Sequence, residues 1–132
     1  MHIFLSMIPP TVTQQTHRIG VSRTGKKYVY EQRELKEARS DLKARLSQHR
    51  PEAPMTGAVA LHVIWCFPIR GRHKDGEWKT SKPDTDNLQK MLKDVMTSLG
   101  WWKDDAQVAA ESVEKHWADK PGIYIEWREM AG

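Results

Sequence analysis

Residues 58–67, AVALHVIWCF, are almost unbroken apolar sequence, rich in Val, Ile, Trp and Phe. The run is far too short for the ~20 residues that span a bilayer. It reads as a strand buried on both faces, which obliges the rest of the chain to supply cover. His62 sits inside it, and no second histidine lies nearby at ligand spacing. A core histidine is expected there rather than a ligand. Cys66, the one cysteine, can form neither an internal disulfide nor a zinc site. It reads as a small buried core residue, compatible with a reducing intracellular compartment.

The cover comes from two helical patterns. Leu35, Ala38, Leu42 and Leu46 recur at helical spacing between Glu31 and about His49. Leu88, Met91, Leu92, Val95, Met96 and Leu99 make a second stripe, in a helix that starts at Asp84 or Thr85 and stops at Gly100. MHIFLSMI reads as a short strand closed by Pro9 and Pro10. RIGVSRTGKKYVY reads as a hairpin turning at Thr24 and Gly25. A strand is expected from Ala106, with a parity slip between Ala110 and Val113 that suggests a bulge. The turn at Asp119–Gly122 leads to the alternating strand IYIEW. Strands, helix, strand, helix, strand and strand make one α+β domain over residues 1–132, a mixed sheet with two main helices on one face. MHIFLSMIPP lacks the basic start and the length of a secretion signal, so a cytoplasmic protein with no membrane partner is expected.

Lys and Arg number 21 against 17 acids, a formal net charge of +4. Moderate basicity suits nucleic acid without proving it. The cations are not spread evenly. Arg70, Arg72, Lys74, Lys79 and Lys82 fill the loop after the apolar strand, with only Asp75 and Glu77 between them. They are the expected DNA-contacting residues.

Against that background, carboxylates at 84, 86, 104 and 105 need a reason. Asp is a good N-cap and an acid suits the first turn of a helix, and a DD pair before a strand is an ordinary solvated turn. Either pair alone is explained that way; both together, among lysines and tryptophans, suggest a bound cation. Asp86, Lys90 and Asp94 stack along one helix side. This is either an exposed ion-pair ladder or a carboxylate pair with an ammonium one turn away. Oxygen donors without His or Cys point to Mg2+, with Mn2+ as a substitute. Metal and lysine together suit the charge that develops on a phosphodiester under attack. Lys90 stands four residues from Asp86 in a helical period, so the restriction-nuclease pattern, with acid and lysine two apart on a strand, does not apply.

The stretch KPDTDNLQKMLKDVMTSLGWWKDDAQV, residues 82–108, resembles the signature of RusA-type Holliday junction resolvases, small dimeric endonucleases of bacteria and their prophages. Two acidic blocks, the Asn, the Lys and the Gln-Val all stand in order. The resemblance implies a homodimeric α+β enzyme that binds four-way DNA junctions and makes paired nicks with Mg2+, in recombination and repair. It implies Asp84, Asp86 and Asp105 as catalytic metal ligands and Lys90 as the catalytic lysine. The six tryptophans offer area for a dimer interface. Strand alternation adds that Asp105, not Asp104, faces away from the packed side. A helix from Asp86 to Leu99 would hold the two acid blocks ~20 Å apart, unless the loop returns or a second copy supplies one. Two rival readings are a non-catalytic basic DNA-binding module and a metal-dependent hydrolase of small nucleotides, which would need a base pocket that no motif displays.

Overall fold

A computed structural model describes residues 1–12 and 25–131. In chain order these form strand β1 (His2–Leu5), helix α1 (Gly25–Ser47), strand β2 (Val59–Pro68), helix α2 (Thr85–Ser98), a single 3-10 turn (Asp105–Gln107), strand β3 (Val108–Ala118) and strand β4 (Gly122–Glu129). The sheet order is β1-β4-β2-β3. β4 runs antiparallel to β1 and β2, while β2 and β3 are parallel, so the sheet is mixed. Among the described residues no helix is long and apolar enough to cross a membrane.

Alternation decides which face is packed. Val59, Leu61, Val63, Trp65 and Phe67 of β2 are all buried, as are Ile123, Ile125 and Trp127 of β4. They form one core with Leu88, Met91, Leu92, Val95 and Met96 of α2 and Leu35, Leu42 and Leu46 of α1. The helical stripes thus land where their spacing put them. Gly100 follows α2 at φ 88°, a left-handed value that glycine adopts without strain. The turn is closed by Gly100 N–H to Thr97 O and Trp101 N–H to Met96 O, both 3.1 Å.

Several expectations need correction. The predicted strand 58–67 is buried on one face only. Its even residues are half covered, because among the described residues no helix packs on that side. His62 is therefore not a core histidine; it pairs with Ser112 Oγ across β3 on the open face. Cys66 shares that face and is half exposed. Thr24 lies outside the described residues, and the predicted second hairpin strand is the start of α1, which begins at Gly25 rather than Glu31. The bulge sits earlier than expected. Val108 pairs with Val59 and Ala110 with Ala60, so Ala109 is the extra residue. Of the six tryptophans, Trp65, Trp101, Trp102, Trp117 and Trp127 are core; Trp78 alone is largely exposed.

Candidate active site

The chain enters α2 through Ser81, Lys82 and Pro83, with a cis Lys82–Pro83 peptide. Asp84 is the N-cap residue in extended conformation, yet its side chain makes no capping hydrogen bond. Asp86 follows in the first turn, and one of its oxygens accepts from the neighbouring Asn87 N–H at 3.1 Å. Capping therefore does not account for the Asp84 carboxylate. Both acids are exposed at the start of the helix.

A residue that sequence reasoning missed holds this entry in place. Lys115 of β3 points to the helix side, and its Nζ donates to Ser81 O at 2.6 Å and Pro83 O at 2.7 Å. Burial pulls its ammonium below the usual lysine range, while nearby Asp84 draws it back up. The signal for it was parity: Lys115 lies between Val113 and Trp117, both packed against the core. Lys79 was expected as a surface contact, but it is only 8% exposed. Its Nζ donates to Ser81 Oγ at 2.6 Å and lies over the rings of Trp117 (4.3 Å) and Phe67 (5.2 Å). Burial, then the Lys115 and Arg70 charges, push its ammonium down.

Lys90 lies one turn beyond Asp86, and its side chain is 62% exposed. Its nearest carboxylate is Asp94, at 3.8 Å, which Arg39 of α1 also approaches at 3.9 Å. Contacts that long and that solvated are worth a few tenths of a kcal/mol. They leave the ammonium free to move. Beneath this surface a polar chain fixes α2 to the sheet. Trp65 Nε1 donates to Gln89 Oε1 at 2.8 Å. Gln89 Nε2 donates to Glu111 at 2.7 Å, and Lys93 donates to the same carboxylate at 3.0 Å.

The second acid block behaves as two different residues. Asp104 caps the 3-10 turn by accepting from Ala106 N–H at 2.9 Å. Gln107 completes the box by accepting from Asp104 N–H at 3.2 Å, and its amide also donates to Met55 O and Gly57 O. Asp105 is half exposed and is not the cap. The expected strand start at Ala106 is this turn instead, because the capping box tightens the backbone. Strand parity therefore does not operate here; the division of labour between the two acids comes from capping.

Asp84 and Asp86 are brought together, but Asp105 is not brought to them within one chain. Trp102 Nε1 donates to Thr97 Oγ1 at the last turn of α2, so Asp105 follows near that end. The fourteen residues of α2 at ~1.5 Å rise separate its ends by ~20 Å. β3 then runs back along α2, from Val108 beside Asp105 to Lys115 beside Asp84. Accordingly, among the described residues no three His, Cys, Asp or Glu are grouped to hold an ion.

The basic loop is pinned to β3. Gly76 N–H donates to Trp117 O, Trp117 N–H to Glu77 O and Lys79 N–H to Lys115 O, at 2.8–3.0 Å. His73 stacks on Trp117, with ring centres 4.3 Å apart. Arg70, Arg72, Lys74 and Lys82 stay exposed on this frame, and Arg70 and Lys82 line one cavity with Lys79.

Comparison with known proteins agrees with this layout. A family model described as Endodeoxyribonuclease RusA matches residues 8–128. The crossover junction endodeoxyribonuclease rusA of Lactococcus phage r1t is 34% identical over 124 residues, covering 92% of this chain and 91% of the relative. The uncharacterized protein YqaN of Bacillus subtilis (strain 168) is 30% identical over 123 residues, covering 85% of this chain and 86% of that protein. An α+β chain that sets two exposed carboxylates at a helix start, beside a pinned basic loop, and aligns along nearly its whole length with such a model is a member of the RusA endodeoxyribonuclease family.

Proposed function

We propose that this endonuclease resolves four-way DNA junctions by paired nicks, acting as a homodimer with a divalent cation, Mg2+ by preference. The observation that carries the reading is the Asp84 carboxylate at the start of α2, unused as a cap and followed by Asp86. Asp84, Asp86 and Asp105 offer oxygen donors only, which suit Mg2+ or Mn2+. A cation so held supplies charge stabilisation to the phosphodiester under attack. Lys90, mobile and one turn from Asp86, reaches for a non-bridging or leaving oxygen. Arg70, Arg72, Lys74 and Lys82, exposed on the loop, hold the flanking backbone by neutralising phosphates.

The separation of Asp84 from Asp105 along α2 supports the homodimer. Asp105 of a second copy completes the carboxylate set. β3 is an edge strand, and its first half, Ala109–Ser112, is exposed. Two copies paired antiparallel along that half place the Asp105 end of one beside the Asp84 end of the other. Two sites related by a two-fold axis match a junction cut on two strands.

The test is cleavage of a labelled four-way junction over a range of Mg2+ and Mn2+, with a linear duplex as control. Asp86→Asn is expected to bind the junction at least as tightly as the unaltered chain and to cut none. Junction binding with no cutting in any divalent ion would instead leave a basic DNA-binding module.

A further inference from the structure

Beside the entry to α2 lies a cavity of about 290 Å³ with Phe67 and Trp117 in its wall, Lys79 among its lining residues and Arg70 and Lys82 beside them. Its described lining holds three cations and no carboxylate. Lys79 is the anomaly. An ammonium taken out of water is costly unless a counter-charge or several oxygens meet it. Here Nζ has one hydroxyl, Ser81 Oγ, and two aromatic rings. The charges beside it, Lys115 and Arg70, are also positive. A lysine has the length to turn outward and shed that cost. This one is held inward, its backbone tied to Lys115 O. Among the described residues the arrangement lacks an anion, and DNA brings one.

We propose that this cavity is a seat for one backbone phosphate of a strand that has left the regular duplex, with Lys79 as the residue that tells branched from linear DNA. The inference rests on the DNA-cutting reading and adds which DNA geometry is selected. A duplex presents its phosphates on a convex surface, where Arg70 and Lys82 can meet them. Lys79, recessed at 8% exposure, is reached only by a phosphate that enters the cavity. A strand turning sharply at a branch point can make that approach. The seat adjoins the proposed cutting residues, because Lys115 accepts from Lys79 N–H through its backbone carbonyl and donates through Nζ to the carbonyl of Pro83, the residue before Asp84.

Lys79→Met keeps the length of the packed stem and removes the charge. Anisotropy titrations without divalent ions would compare it with the unaltered chain on a four-way junction and a linear duplex of the same sequence. Junction affinity is expected to fall about tenfold and duplex affinity less than about twofold. The slope of log K against log salt should drop by about one for the junction alone. Free inorganic phosphate should weaken junction binding of the unaltered chain more than that of Lys79→Met. The thermal midpoint should stay level or rise, because an uncompensated buried charge is gone. Equal loss on both DNAs would make Lys79 a general contact and overturn the proposal. So would a lower midpoint with unchanged binding, which marks a purely structural cation–π role. Lys79→Gln, neutral but still able to donate to Ser81, gives the same readings if the methionine variant does not fold. A chain that prefers junctions but never cuts defeats the nuclease reading alone; an unchanged preference in both variants defeats this one alone.

Discussion

Lys115→Met tests whether the backbone before α2 positions the Asp84 carboxylate. The unaltered ammonium donates to Ser81 O and Pro83 O at 2.6 and 2.7 Å. Methionine fills the same space and donates nothing. Ser81 is exposed and can bond water instead, but Pro83 is buried, so roughly one carbonyl is left unsatisfied, at ~1–3 kcal/mol. Removing a partly buried charge offsets part of that, so the net loss of stability should be at most ~2 kcal/mol. Function should suffer more than stability. Pro83 directly precedes Asp84, and losing a group that orients a metal ligand typically costs ~10–100-fold in metal affinity or activity. The assay is half-maximal Mg2+ for junction nicking, paired with urea unfolding. The expected result is a Mg2+ requirement raised ~10-fold or more, with an unfolding midpoint close to that of the unaltered chain. Unaltered Mg2+ dependence at the unaltered rate would refute the positioning role, and gross unfolding would show that the lysine is chiefly structural.

Three further outcomes are expected. Lys90→Ala should lose most cleavage with only a modest loss of junction affinity, and Lys90→Arg should restore little, because a forked guanidinium and a compact ammonium reach differently; full activity in Lys90→Ala would remove its catalytic role. Asp105→Asn should abolish nicking while Asp104→Asn should not, and mixing Asp86→Asn with Asp105→Asn chains should recover single nicks, since one of the two shared sites is then intact; no recovery would place all three acids in one chain. Lys79 titrates below the ordinary lysine value in the folded state, so the unfolded chain binds more protons between the two values and folding gains stability as pH rises through that alkaline window. The stability advantage of Lys79→Met should therefore shrink as pH climbs toward ~10.4, by urea unfolding at stepped pH; an advantage constant across that range would contradict the burial.

Much of this was legible in the sequence because it rests on local period. The α2 stripe and Gly100 follow from helical spacing and from a backbone conformation that suits glycine. The resemblance to the family motif singles out Asp84, Asp86 and Asp105 without any geometry. What stayed hidden depends on distant partners. A lysine counts as surface charge until Trp117 and Phe67 are known to enclose it, and only the parity of Val113, Lys115 and Trp117 hinted that one lysine faces inward. The preference for Asp105 over Asp104 rests on the family motif and on strand alternation; alternation does not apply at this turn, where a capping box that Gln107 completes separates the two acids. The supposed hairpin failed because Tyr-Val-Tyr carries strand propensity that the continuing helix overrides.

The bonds from Gly76, Glu77 and Lys79 to the end of β3 also bear on how the protein avoids aggregating. An open sheet edge is a template for endless strand addition. Here the loop roofs the last part of one edge, and the opposite edge strand, β1, is only four residues long. The exposed stretch between Ala109 and Ser112 suffices for one self-complementary contact. Once two copies use it against each other, neither keeps a free counterpart on that side. The segment that carries the proposed DNA-contacting cations would then also act as the stop that holds assembly at a closed pair instead of a fibre.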